Sequence, residues 1–396
     1  MARNGGNKVD HAAKKHTGLL KLVQMLSYLV VYVSCSILGL ATGSLVNRYI
    51  TLQGQLFFTD NNKSSTTSCH NCTILKPSDQ GAVSSSMELS FRRKSLTHSM
   101  NDEQLFWTAS LVPYKEEYPF DRVPKVAFMF LTRGPLPLLP LWERFFMGYE
   151  KLYSIYVHPH PKYKMKVSKD SPFYGRQIPS QEVKWGHMSA IDAEKRLLAN
   201  ALLDFSNEWF VLLSESCIPV YKFTKTYAYL IRSEYSFVES FDELSFDGRG
   251  RYFHQMLPEI QPHQWRKGSQ WFAIQRDLAI YIVSETKYHS VFKKLCYEEL
   301  FCLPEEHYIP TYLSMFHGSL IANRTLTLAD WSVYSSHPTK YGRFNVTESL
   351  INSIRNNGTL CSYNSDMMNL CYLFARKFAP SALKPLLKIA AKIMQY

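Results

Sequence analysis

The sequence predicts an α/β domain with a mainly parallel central sheet, held to a membrane by one N-terminal helix and a polar stem. Three observations carry this expectation. Leu22 to Val46 is free of charge and dominated by apolar residues, and about 20 such residues suffice to cross a bilayer. Residues 47–120 then turn polar and rich in Ser, Thr and Asn, too poor in apolar side chains to build a core. Beyond them, short apolar runs alternate with helical patterns, which is the signature of a parallel sheet covered by helices.

Taken in order, residues 1–21 form a basic tail. Arg3, Lys8, Lys14, Lys15 and Lys21 stand against one acid, Asp10, whereas only Arg48 directly follows the apolar segment. The positive-inside rule therefore leaves the tail in the cytosol, makes 22–46 a signal anchor and places 47–396 in a lumen. The alternative is a cleaved signal peptide, but the segment is long for one and lacks a clear small-x-small cleavage site. Asn-x-Ser/Thr sequons at Asn62, Asn71, Asn323, Asn345 and Asn357 all fall on the lumenal side, in agreement with that topology.

Residues 121–396 form the expected globular domain. Lys125–Thr132 has the length of a buried strand and is broken by Gly134-Pro135. Leu141–Tyr149 reads as a helix, and Tyr153–Val157 as a second strand ended by His158-Pro159. Ser189 opens a helix with Asp192 as a capping-box acid. Trp209–Leu213 is the third strand and Tyr235–Val238 the fourth, with helices over Asp277–Ser284 and Glu306–Phe316. Sheets of this kind bind ligands at the carboxyl ends of their strands. The end of the stem, at Leu105, Phe106 and Trp107, carries the apolar residues that would dock on the domain.

A net charge of +12 raises nucleic acid as a partner, but the basic residues are spread along the chain without a binding motif, so no nucleic acid is expected. The charge suits a solvated basic surface, an anionic nucleotide-sugar donor or an acidic polysaccharide equally well. Eight cysteines are present. Cys35 lies in the anchor, and the other seven suit disulfides in an oxidising compartment. Cys69 and Cys72, in the stem, could link two subunits into a homodimer.

The run Trp209-Phe-Val-Leu-Leu-Ser-Glu-Ser-Cys-Ile-Pro-Val220 is followed by Gly268-Ser-Gln-Trp-Phe-Ala-Ile-Gln-Arg-Asp277. Leu303-Pro-Glu-Glu-His-Tyr-Ile-Pro-Thr311, Ala329-Asp-Trp-Ser332 and Phe374-Ala-Arg-Lys-Phe378 come next. In order and spacing, over about residues 121–380, these segments resemble the core-2/I-branching β-1,6-N-acetylglucosaminyltransferase family, and most closely its plant, brittle-culm-type branch. The resemblance implies a GT-A-like fold and an inverting transfer from a UDP-sugar, by default UDP-GlcNAc, to a glycan or glycoprotein acceptor in the Golgi. Glucuronic acid and xylose stay open as the transferred sugar, and a cell-wall or arabinogalactan-type glycan as the acceptor. It also implies that no divalent metal is needed, and the chain contains no Asp-x-Asp motif to hold one.

Inverting transfer needs a carboxylate to take the proton from the attacking hydroxyl. The family's Pro-Asp-Glu triplet matches Pro304-Glu305-Glu306, which makes Glu306 the base and Glu305 its rival. By the same resemblance Lys377 binds the donor diphosphate, with Arg355 as its partner and Arg343 as fallback. Fixed cations of this kind can neutralise a leaving UDP. Trp331, Asp330 and Glu215 are expected at the sugar or acceptor, and Trp185-Gly186-His187 forms a tight turn near the donor. His158 stands where the family's GlcNAc transferases carry an acid that helps hold the uridine. The alternative to an enzyme is a non-catalytic lumenal protein of the same fold that binds glycans or scaffolds other transferases.

Overall fold

The computed structural model describes residues 96, 98–111, 122–296, 302–333, 335–356 and 358–396. The anchor, nearly all of the stem up to residue 95, and Asn62, Asn71, Asn357, Cys35, Cys69 and Cys72 lie outside the described residues. Among the described residues no helix is long and apolar enough to cross a membrane.

The chain enters through α1 (Asp102–Ser110), closed at its start by a reciprocal cap between Asn101 and Gln104. The α1 segment docks through two of the three apolar residues expected to do so: Leu105 is buried and Phe106 partly so, but Trp107 faces solvent. Asp102 fixes it with two 2.7 Å hydrogen bonds from the buried Arg196 guanidinium, the fork geometry that makes Arg–carboxylate pairs specific.

The central sheet contains β1 (Lys125–Leu131), β2 (Tyr153–His158), β3 (Asn207–Ser214) and β5 (Ala273–Gln275), in the order β2-β1-β3-β5. The first three strands are parallel, and β5 is antiparallel to β3. A second sheet sets β9 (Phe374–Arg376) between β4 (Ile218–Pro219), antiparallel to it, and β6 (Thr327–Ala329), parallel to it. A hairpin of β7 (Cys361–Tyr363) and β8 (Asp366–Met368) precedes β9. The helices are α2 (Leu139–Phe146), α3 (Met188–Leu202), α4 (Phe223–Ile231), α5 (Arg276–Ser284), α6 (Lys287–Leu295), α7 (Pro304–His317), α8 (Glu348–Arg355) and α9 (Leu383–Ile389).

Both faces of β1 are covered, which explains its unbroken apolar run. Val126, Phe128 and Phe130 enter a core with Trp142, Phe145, Phe146, Phe223 and Phe374, while Ala127 and Met129, with their β3 neighbours Phe210 and Leu212, join Ile191 and Leu198 in the core on the other face. The Phe128 ring meets those of Phe145, Phe146 and Phe374 edge-on, at 4.9–6.3 Å between centroids, the arrangement that ring quadrupoles favour. Disulfides join Cys296 to Cys302 and Cys361 to Cys371, and Cys217 is a buried free thiol.

The structure corrects two local expectations. Tyr235–Val238 is not the fourth strand: Ser236 and Phe237 make single bridges, to Ile321 and Ala273, and the short β5 takes the place beside β3. The cap of α3 is His187, whose ring accepts the Ser189 N–H at 3.2 Å, whereas Asp192 pairs with His289 at 2.7 Å instead of closing a capping box.

Candidate active site

The carboxyl ends of the parallel strands gather the chemistry. Leu131 of β1 lies in register with His158 of β2 and with Ser214 of β3, so Arg133, His158 and Glu215 leave the sheet along one edge. The second sheet delivers its residues to the same place. Ala329 is paired with Arg376 in parallel strands, which brings Asp330 beside Lys377, with Trp331 next along the chain. The Phe378 N–H donates to the Ser216 carbonyl at 2.9 Å, which brings Glu215 there too.

Lys377 sits among cations. Its ammonium is shifted below the usual lysine range by partial burial and by the charges of Arg376, Arg133 and Lys340, with Glu215 acting the other way. The Arg376 guanidinium stacks over the Trp271 ring at 4.2 Å, a cation–π contact that holds it in place, and its buried Nε has no hydrogen-bond partner. The same positive field, after partial burial, depresses His337.

Arg355 is not part of this group. Its Nη1 donates to the Ile393 carbonyl at 2.5 Å and its guanidinium covers Tyr221 at 4.4 Å. Because β4 and β9 run antiparallel, Tyr221 lies past the end of β4 opposite to Ser216 and Lys377. The five residue steps from Ser216 to Tyr221 correspond to about 16 Å of extended chain. The structure thus pairs Lys377 with Arg133 and Arg376, not with Arg355. Arg343 is exposed and its N–H meets the Ser381 hydroxyl at 3.3 Å.

The carboxylates come from α7, which follows Leu303 in a left-handed conformation and starts at Pro304. Glu305 and Glu306 therefore occupy the first turn, where the helix dipole favours acids. Their environments differ sharply. Glu306 keeps 27% of its side chain exposed, and its Oε2 accepts from Arg251 Nη1 at 3.0 Å. Burial raises its pKa above the ordinary carboxylate value, and Arg251 and Lys267 moderate the rise. Glu305 is only 4% exposed. Its Oε1 accepts the Gly186 N–H at 2.8 Å, its Oε2 is unpartnered, and burial pushes its pKa up to about 7. Glu194 on α3 is buried with it. It accepts from Gln270 at 2.8 Å and lies well above the usual range, through burial first and the charge of Glu305 as well.

Two bridges tie the acids to the cations. The first is the segment 268–271. Gly268 N–H donates to the Glu306 carbonyl at 2.9 Å, Ser269 N–H to Glu239 at 3.0 Å and Gln270 to Glu194, while Trp271 lies under Arg376. Only glycine fits at 268, because a Cβ there would come within 2.0 Å of the Glu239 carbonyl oxygen. The second is the turn at Gly186, whose φ of +75° suits glycine. Gly186 binds Glu305, and the neighbouring Trp185 ring meets His337 at 5.9 Å.

The remaining expected residues divide by environment. Trp331 is 54% exposed and free to offer a ring face. Asp330 is occupied: Tyr341 Oη donates to it at 2.7 Å and Ser332 N–H at 2.9 Å, and these bonds lower its pKa to about 2. Glu215 is half-buried beside the cations. His158 is fully buried, and burial lowers its pKa to about 4, so a neutral ring lies beneath the edge. The sequons at Asn323 and Asn345 are exposed, with their side-chain oxygens accepting from Ser240 N–H and Gly342 N–H. Sequence reasoning missed Arg133, Arg251, Glu194 and Arg376. Gln270 and Arg376 do lie inside the quoted motifs, and Arg133 directly follows the first strand, which were the available signals. Two cavities of about 150 and 280 Å³ lie elsewhere: one beside Phe237 and Tyr363, the other at the amino end of β3 near Trp209.

An accessible carboxylate whose residue is joined by one short segment to clustered cations at the carboxyl edge of a parallel sheet suits the removal of a proton from a hydroxyl while a polyanionic group departs. That is the chemistry of a glycosyltransferase. A family model described as Core-2/I-Branching enzyme matches residues 126–355. The chain is also 35% identical over 302 residues, 65% of its own length and 74% of the relative's, to Glycosyltransferase BC10 of Oryza sativa subsp. japonica. The chain belongs to the core-2/I-branching enzyme family and is a glycosyltransferase.

Proposed function

We propose that this protein is an inverting glycosyltransferase that moves a sugar, by default GlcNAc, from a UDP donor to a glycan or glycoprotein hydroxyl in β linkage, without a divalent metal. Glu306 takes the proton from the attacking hydroxyl. Lys377, with Arg376 and Arg133, receives the charge of the departing UDP. Trp331 offers its ring to the acceptor. Glu305, the rival base, lies too deep to meet a substrate, and its bond to Gly186 gives it a positioning role.

One observation carries this reading: a single four-residue segment touches both Glu306 and the Trp271–Arg376 stack. A raised but accessible carboxylate is suited to general base catalysis near neutral pH, and fixed cations stabilise charge as it develops. Two disulfides favour an oxidising compartment. Together with the sequons and the asymmetry of charge around residues 22–46, they support a single-pass type II protein with its catalytic domain in the Golgi lumen. A cell-wall or arabinogalactan glycan is the acceptor suggested by the rice relative's branch.

The test is a screen of UDP-sugars with the purified full chain in nonionic detergent and EDTA, comparing wild type with Glu306→Gln. Turnover in EDTA that collapses in the variant, with UDP binding kept, supports the mechanism and identifies the donor. Turnover unaffected by the substitution overturns the assignment of Glu306.

A further inference from the structure

Residues 162–169 read Lys-Tyr-Lys-Met-Lys-Val-Ser-Lys. They follow β2 at the carboxyl edge of the sheet. Tyr163, Met165 and Val167 are half-buried, the latter two against the aromatic core, while Lys162, Lys164, Lys166 and Lys169 are exposed. Over 162–167 this is the alternation of an extended chain, which sets every second side chain, here Lys162, Lys164 and Lys166, on the same face about 7 Å apart, and Lys169 follows in a turn.

The strip is pinned rather than loose. The Gln177 side chain donates to the Tyr163 carbonyl at 2.9 Å and accepts the Met165 N–H at 3.0 Å, and Gln177 is itself bridged to Val157 of β2. Holding like charges in a row is unfavourable unless something of opposite charge meets them. Among the described residues no ion pair does so. None of the four lysines joins an ion pair among the described residues. Acids do stand at the far end of the strip: Asp170 directly follows Lys169, its N–H meeting the Ser168 hydroxyl, and Glu143 accepts from Ser171.

The strip also adjoins the site. The Tyr163 ring lies 3.8 Å from where a Cβ on Gly134 would stand, and Gly134 follows Arg133, whose charge reaches Lys377. From Lys162 to Lys166 the strip spans about 13 Å, which exceeds the reach of one sugar and suits several linked ones, and Lys169 continues it into the turn.

We propose that Lys162, Lys164, Lys166 and Lys169 form a docking strip for a polyanionic glycan, a chain bearing several carboxylate or sulfate groups, along which the acceptor approaches the transfer site. The proposal rests on the transferase reading for its direction, whereas binding itself requires no turnover.

The experiment measures binding of the full chain in nonionic detergent to polygalacturonate and to dextran of matched length, at low salt and again at about 0.15 M. Three proteins are compared: wild type, K162Q/K164Q/K166Q/K169Q, and K293Q/K294Q/K384Q/K388Q, which loses the same charge elsewhere on the surface. Wild type and the second variant bind polygalacturonate and not dextran, and the strip variant binds it about tenfold more weakly or worse, with UDP affinity unchanged in all three. Equal loss in both variants, equal binding of dextran, or no polygalacturonate binding by wild type overturns the proposal. So does loss of binding to phosphatidylserine vesicles alone in the strip variant, which would assign the strip to a membrane surface. Strip-dependent binding in a protein whose turnover ignores Glu306 faults the proposed mechanism and leaves the strip standing.

Discussion

Glu305 and Gly186 are 119 residues apart in sequence and are joined by one 2.8 Å hydrogen bond, from the glycine N–H to a carboxyl oxygen. The bond connects the start of α7 to the Trp185 turn, and it is made by a side chain whose pKa burial lifts from 4.5 to about 7. A group whose folded pKa is raised holds its proton more tightly when folded. Its contribution is therefore full below pH 4.5 and is lost as pH rises to about 7. Glu305→Gln keeps the acceptor for Gly186 and removes the titration. Relative to this variant, wild type should lose on the order of 3 kcal/mol of stability between pH 4.5 and pH 8. Urea unfolding of both proteins across that range is the check, and parallel curves would show that Glu305 does not titrate there.

Arg251 should set the acid limb of the activity profile. Its ion pair lowers the pKa of Glu306 against the larger effect of burial. Replacing it by Met leaves Glu306 harder to ionise, so the acid limb of kcat/KM moves to higher pH and activity falls more at pH 6 than at pH 8. Glu306→Gln should cost about 10²–10⁴ in kcat. A profile unmoved in Arg251→Met would mean that Glu306 is not the titrating base.

Lys377 and Arg355 should separate cleanly by assay. Lys377→Ala is expected to weaken UDP binding by about 1.5–3 kcal/mol, the range for a charge-assisted hydrogen bond. Arg355→Ala is expected to leave UDP affinity intact and to lower the unfolding midpoint, because the guanidinium ties α8 to the Ile393 carbonyl and to Tyr221. Calorimetry with UDP and a thermal melt distinguish the two outcomes.

Gly268→Ala tests the contact segment. The added methyl meets backbone, not a flexible side-chain end, so the loop must shift at a cost of about 1–3 kcal/mol. Because the same residue bonds to Glu306, kcat should fall further than the loss of folded protein explains. An active-site titration that normalises the rate per folded molecule checks this.

The disulfide between Cys361 and Cys371 closes a loop with a sequence separation of 10. Replacing both residues by Ser should cost about 3 kcal/mol, seen as a lower unfolding midpoint under non-reducing conditions.

Much of this architecture is readable from local patterns. The strands β1, β2 and β3 announce themselves because both of their faces are buried. The strand β5 does not, since Ala273–Gln275 is only three residues long, and the apolar Tyr235–Val238 run nearby has the better strand pattern yet makes only isolated bridges. Glu306 and Lys377 could be singled out as candidates through the resemblance because each lies within a compact motif. Arg133, Arg251 and Glu194 could not, since each reaches the site from its own element and no spacing in the chain records their meeting. Arg355 shows the opposite hazard. Its distance in sequence from Lys377 suits a partner, but antiparallel pairing carries it to the far end of the small sheet.

The segment from Gly268 to Trp271 acts as a gauge. In the proposed mechanism it stands between the atom that accepts a proton and the cations that meet the departing phosphate, and a stretch of backbone has a length that side-chain repacking cannot alter. Changes in the acceptor pocket could therefore accumulate over evolution, exchanging one glycan for another, while the separation demanded by the reacting bonds stayed constant.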